Sequence, residues 1–190
     1  MKTRLKIVCL LLSLLMLLSA CSGPAYEPGF VEDENYYNQM AEFQLSKPSS
    51  LIYQEKLDCS IQENDPELYS RAVEMGSADS LSLEYILTNE DVSLYIYSEK
   101  NVNDYLVVPF SEFIKQSIEE NTDMEVVSIE DIHQEAPFRC LIARNDFMEK
   151  RYYITFAGDS FVYMVITGQT EAVENIIDDI NPVGYWGEDT

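Results

Sequence analysis

The sequence predicts an α+β domain, a mainly antiparallel sheet with helices packed on it. Three observations carry this. Apolar and polar residues alternate in successive short runs, such as Leu81, Leu83, Tyr85 and Leu87 and then Val92, Leu94 and Ile96, which is the period of a strand. The runs are joined by turns such as Asn89-Glu90-Asp91 and Gly158-Asp159, too short for the crossover that parallel strands need. Two stretches change to helical spacing: Phe113, Ile114, Ser117 and Ile118, and then Ala172, Val173, Ile176, Ile177 and Ile180.

Taken in order, Phe43 and Leu45 alternate up to Lys47-Pro48, where a strand must stop or lie at an edge. Asp65-Pro66-Glu67-Leu68 reads as a short helix start, since Pro suits the first helical turn. The run from Leu81 and the run from Val92 form a hairpin. A helix opens near Pro109 to Ser111 and ends near Asn121. Strands are expected over Met124–Ile129, Phe138–Arg144, Arg151–Phe156 and Phe161–Thr167. Thr170 is placed to cap the last helix, and Pro182 and Gly184 end it. The Ser, Thr, Glu and Tyr residues that alternate with the apolar ones predict that parts of one sheet face stay wet.

This order of elements over residues 41–182 resembles the PsbP-like fold family, as do Phe43-x-Leu45-x-Lys47-Pro48 and the run Tyr152–Gly168 before the last helix. The resemblance implies an α/β/α sandwich, in a fold that hosts adaptors and assembly factors more than enzymes. Fold alone does not carry function, and no site residue transfers.

Ahead of the domain, Lys2, Arg4 and Lys6 precede an apolar run from Ile7 to Leu18, interrupted by Ser13. At about 1.5 Å per residue the run is roughly 18 Å long, short of the ~30 Å of a bilayer core, so it reads as an export signal. An ordinary signal peptide would also suit Ser19 and Ala20. Leu18-Ser19-Ala20-Cys21 resembles the lipobox of bacterial lipoprotein precursors. The resemblance implies lipid transfer to the Cys21 thiol and cleavage before it, with acyl chains supplying membrane affinity at ~0.8 kcal/mol per buried CH₂. The expected organisation is a signal peptide over 1–20, an acidic disordered tether over 21–40 and one domain over 41–190. The tether is rich in Pro, Gly and acid, with a reach of about 20–25 Å as a flexible coil.

The chain carries 12 basic and 34 acidic residues, a net charge of −22. Without Lys2, Arg4 and Lys6 nine basic side chains face the 34 acidic ones, a balance of −25. Such a surface repels nucleic acid, which is not an expected partner. It also repels anionic lipid within a Debye length of roughly 8 Å, so the domain is expected to stand off the bilayer. Cys59 and Cys140 remain once the signal and Cys21 are set aside. They form a disulfide permitted outside the cytoplasm, or stay as two buried thiols. There is no C-x-x-C motif of thioredoxin type.

His133 is the only histidine, so a Ser-His-Asp or Cys-His arrangement would have to use it. It sits in a polar connection before Pro137 and reads as a surface residue. The acidic pairs, among them Glu63-Asn64-Asp65, Glu119-Glu120 and Asp178-Asp179, lack the D-x-D-x-D-G pattern of a calcium loop. No cofactor or metal motif is present, and none is expected. Two surfaces are candidates for a partner. Arg144, with Lys150 and Arg151, comes near one hairpin turn and would dock an anionic partner or pair with local acids. Tyr95, Tyr97 and Tyr153 fall on the strand parity opposite to Tyr85, Tyr152 and Tyr163, and form an aromatic face unless a helix covers them. Tyr185-Trp186 caps the last helix or is exposed. The expected protein is a lipoprotein anchored through Cys21 at the extracytoplasmic face of a cell membrane. Its domain binds an envelope partner without catalysis. The alternative is an envelope enzyme or calcium-binding domain using carboxylates gathered by the fold.

Overall fold

The computed structural model describes residues 24–55, 60–132, 138–177, 179–180 and 183–184. In chain order the strands are β1 (Phe30–Glu32), β2 (Asn35–Asn38), β3 (Phe43–Leu45), β4 (Ile52–Tyr53), β5 (Ser82–Thr88), β6 (Val92–Lys100), β7 (Glu125–Ile132), β8 (Phe138–Arg144), β9 (Met148–Ala157), β10 (Ser160–Gln169) and β11 (Val183–Gly184). The helices are α1 (Ile61–Asn64), α2 (Pro66–Met75), α3 (Val107–Asn121) and α4 (Thr170–Ile177), with a 3₁₀ turn at Ala78–Ser80.

Seven strands make the central sheet, in the order β4-β5-β6-β10-β9-β8-β7 with every neighbour antiparallel. The α+β class read from the sequence is thus the observed one. Both faces of this sheet are covered. On one face Leu83, Ile86, Tyr97, Tyr152, Ile154, Phe161, Tyr163 and Val165 pack under Leu68 of α2 and Phe110, Ile114 and Ile118 of α3. On the other, Tyr85, Leu87, Leu94, Ile96, Val162 and Met164 meet Val173 and Ile176 of α4 and a small sheet, β1-β2-β3-β11, through Tyr36, Phe43 and Leu45. The second layer is therefore part helix and part sheet. In the central strand β10, Phe161 to Ile166 are all buried, as in a strand covered on both sides, and the exposed strand positions include Val127 of β7 and Phe156 of β9.

Among the differences from the sequence reading, two element starts and one register have local reasons. Helix α3 begins at Val107, with Pro109 inside its first turn, where the missing N–H costs nothing. Strand β9 begins at Met148, because Glu149 and Lys150 are buried through ionic partners that a hydrophobic pattern cannot register. In β5 the register against β6 shifts between Leu83 and Tyr85. That bulge turns Leu83 to the α2–α3 face while Tyr85 and Leu87 face the small sheet. Helix α2 follows the sequence expectation. Asp65 accepts the Leu68 N–H at 3.3 Å, Pro66 opens the helix, and Gly76 closes it at φ 75°.

The expected disordered tether is corrected over its described part. Residues 30–38 form β1 and β2, and Tyr36 and Asn38 are buried. Pro24 to Gly29 lie as a strap across the sheet. The Tyr26 N–H donates to Asp159 Oδ1 at 2.9 Å, and the Tyr26 hydroxyl donates to Glu84 Oε1 at 2.7 Å. Glu84 Oε2 accepts the Gly29 N–H at 2.8 Å and the Tyr36 hydroxyl. Asn38 donates to both tyrosine hydroxyls, at 2.7 and 2.9 Å. Glu84 is the bulge residue, so the irregularity in β5 aims a buried carboxylate at the strap. Here burial, first, and the Glu84 charge hold the hydroxyls of Tyr26 and Tyr36 above the usual tyrosine range. A Cβ on Gly29 would run into the Tyr36 ring. Gly29→Ala should therefore loosen the strap at a cost of about 1–3 kcal/mol, read as faster amide exchange at Tyr26 and Gly29. Unchanged protection there would contradict this packing.

Candidate functional site

The α2–α3 face carries an open cleft of about 470 Å³. Helix α2 lends it Arg71, Glu74 and Met75, at i, i+3 and i+4, so one helical face supplies all three. Helix α3 lends Phe113, Gln116, Ser117 and Glu120, at i, i+3, i+4 and i+7. Asn103 and Tyr105 of the connection after β6 complete the lining. That connection is pinned: Asn101 Nδ2 donates to the Tyr105 carbonyl at 2.7 Å, and Asn101 Oδ1 accepts the Tyr105 N–H at 2.9 Å. The Asn103 amide donates to the Met75 carbonyl at 3.2 Å. Tyr105 and Phe113 are held as an aromatic pair, with centroids 5.0 Å apart and planes at 57°.

Among the described residues Arg71 is the one basic residue in the lining, and its charge is already engaged. Its Nη1 donates to Glu99 Oε1 at 3.0 Å and its Nη2 to Glu99 Oε2. The hydroxyls of Ser77 and Tyr163 donate to the same carboxylate. The guanidinium also lies over Phe110, 4.7 Å from the ring centroid. Burial works against the Arg71 charge, but Tyr163 and Glu99 outweigh it and hold the pKa above the ordinary arginine value. Among the described residues the remaining charges of the cleft are the carboxylates of Glu74 and Glu120, both on exposed residues. An aromatic pair beside two carboxylates suits an ammonium or guanidinium group.

A second buried ionic group lies under the start of α2. Lys150 Nζ donates to Asp65 Oδ1 at 2.9 Å and to Glu67, and stands 5.3 Å from the Tyr152 ring centroid. Burial, opposed by Lys150 and reinforced by Glu67, pushes the Asp65 carboxyl up to about 6. Lys150 is held well above the usual lysine range, because Tyr152, Asp65 and Glu67 outweigh its burial.

The residues singled out from sequence fall elsewhere. The expected aromatic face does not form. Tyr97 is buried beneath α2 and α3, Tyr153 is buried on the opposite face of the sheet, and half-buried Tyr95 stacks on Tyr97. Both faces being covered, strand parity separates these tyrosines without exposing them. Tyr85, Tyr152 and Tyr163 are core, as read from parity. The basic hairpin is neutralised locally, so an anion-docking patch does not form. Buried Glu149 pairs with both Arg144 and Arg151, Arg144 reaches Glu174 of α4 at 3.0 Å, and Lys150 points to the opposite face. Cys140 is a buried free thiol, pushed up to about 12, chiefly by burial. Cys21, Cys59, His133, Tyr185 and Trp186 lie outside the described residues. Among the described residues, no group of three or more His, Cys, Asp or Glu side chains is placed to hold a metal ion. The cleft residues Glu74, Tyr105, Phe113 and Glu120 were not singled out as a site. The i, i+3, i+4, i+7 repeat of α3 was the signal available for half of it.

No family model matches the chain, and no curated protein matches it. The structure is similar to the solution structure of cyanobacterial PsbP (CyanoP) from Synechocystis sp. PCC 6803, with a TM-score of 0.48 and 10% identity. The match covers 83% of this chain and 90% of that one. Among the described residues no helix is long and apolar enough to cross a membrane.

Proposed function

We propose that the chain is a lipoprotein held through lipid on Cys21 at the extracytoplasmic face of a cell membrane. Its α+β domain is a binding module that takes a cationic group, such as a basic side chain of an envelope protein, without chemical turnover. The observation that carries the binding role is the α2–α3 cleft, where Tyr105 and Phe113 stand beside Glu74 and Glu120 while Arg71 is committed to Glu99. The net charge of −22 adds steering of cations toward the surface. The anchor follows from the basic start, the apolar run and Leu18-Ser19-Ala20-Cys21.

Titration with a short lysine-containing peptide, followed by the ring resonances of Tyr105 and Phe113, tests the cleft. Glu74→Gln with Glu120→Gln should weaken binding about tenfold, from two exposed ionic contacts of up to ~1 kcal/mol each. Glu63→Gln with Glu90→Gln removes the same charge away from the cleft and should change little. Equal loss in both variants would reduce the effect to general charge and sink the site.

A further inference from the structure

We propose that the end of the central sheet carrying the β9–β10 turn rests on the membrane, with Val102, Leu106, Val108 and Phe156 dipping into the lipid headgroup layer. This deepens the lipid-anchor reading and rests on it. Four large apolar side chains are exposed at this end: Val102 by 46%, Leu106 by 75%, Val108 by 50% and Phe156 by 44%. They are neighbours through the fold. Phe156 packs edge-on against Phe161, which stacks on Phe110 in the first turn of α3, just beyond Leu106 and Val108. Val102 follows Asn101, whose N–H donates to the Asp159 carbonyl at 2.9 Å in the β9–β10 turn. Apolar side chains so exposed and so grouped mark a surface that meets something apolar.

The chain itself says what that is. The Pro24 carbonyl oxygen lies 2.6 Å from where a Cβ on Gly158 would stand, at the same turn. The strap from Tyr26 to Gly29 is bound to Asp159 and Glu84, so it does not pay out as a spacer. Cys21 is three residues before Pro24. At no more than ~3.6 Å per residue, its Cα lies within about 11 Å of Pro24. Acyl chains on Cys21 therefore bring this end of the domain against the bilayer, and the apolar cluster is what arrives there. Lys100, at the same end, pairs with Asp159 at 3.4 Å, which tempers the repulsion between an acidic domain and anionic lipid.

The test uses the full chain, processed in cells, in vesicles of phosphatidylethanolamine and phosphatidylglycerol carrying brominated acyl chains. Trp186 is the only tryptophan, so Trp186→Phe clears the background. Leu106→Trp then reports from the proposed contact and Phe147→Trp from the opposite end of the sheet, where Phe147 is 78% exposed. Both positions lie on the surface, so neither substitution burdens the core. Labelling with radioactive palmitate and flotation with the vesicles read the anchor separately. The expected result is strong bromine quenching at position 106 and little at 147. A labelled, floating protein with neither probe quenched, or with both quenched alike, overturns the docked orientation and leaves the anchor standing. A protein that neither labels nor floats overturns the anchor, and the orientation with it.

Discussion

Lys150→Met is expected to cost about 3–5 kcal/mol at neutral pH, because it leaves Asp65 and Glu67 buried without their cation. That is a large share of the ~5–15 kcal/mol by which a domain is stable. The loss should shrink on acidification. Asp65 has a folded pKa of about 6, above the ~3.9 of an unfolded aspartate. Its protonation thus favours the folded state, and that contribution is full below about pH 4 and lost as pH rises through about 6. Lys150 follows the same sign in a far higher pH window. Its raised pKa contributes stability that is present below the unfolded lysine value and lost only as pH climbs through the folded one. Between pH 5 and 7 the lysine is therefore charged throughout, and Asp65 sets the trend. Urea unfolding at both pH values measures this; the same loss at each would contradict the assignment of the charge to Lys150 and its two carboxylates. Asp65→Asn makes a useful companion, since an asparagine keeps the cap on the Leu68 N–H.

Glu99→Leu should be as damaging, by about 3–5 kcal/mol, for the complementary reason. It strands the Arg71 guanidinium, whose side chain is 3% exposed. It also removes the acceptor of the Ser77 and Tyr163 hydroxyls. The pair and the single variant should part company. Arg71→Met with Glu99→Leu removes both charges and substitutes apolar volume, and should recover most of the loss, since a buried pair often exchanges for apolar groups at little net cost. Chemical denaturation of the two single variants and the double variant gives the coupling directly. Additive losses would show that the two residues do not act as a unit.

These two ionic groups were also the least legible part of the chain. Asp65 was readable as a helix start, since Asp before Pro is a local signal for a helix N-terminus. Its lysine lies 85 positions away and was read as part of an exposed basic hairpin. Arg71 and Glu99 are 28 positions apart, on a helix and a strand, and nothing local marks either as buried. Strand β8 was read at its observed bounds, because Phe138, Cys140, Ile142 and Arg144 alternate between two turn signals. By contrast, one bulge at Glu84 changed which face Tyr85 belongs to, and a period-2 pattern cannot reveal an inserted residue. The strap failed for a compositional reason. Pro24, Pro28, Gly29 and the acids around Asp33 have the make-up of a coil, yet Tyr26, Tyr36 and Asn38 gather on Glu84. Half of the cleft lay in a visible helical repeat, but the facing half comes from α2 and from the connection at Asn103 and Tyr105.

The sequence by itself determined the α+β class, the antiparallel hairpins, the start of α2, the acidity of the surface and the lipobox-like motif at Cys21. Each of these is local: a period, a turn, a cap, a charge sum or a contiguous motif. Only the tertiary structure decided that both faces of the sheet are covered, that Tyr97 and Tyr153 are buried, and that Arg144 and Arg151 are spent on Glu149. It also decided that the chain is gripped as early as Tyr26. The physical reason is the same in each case. Burial and ion pairing are properties of layers meeting, and the partners in these layers lie tens of residues apart along the chain.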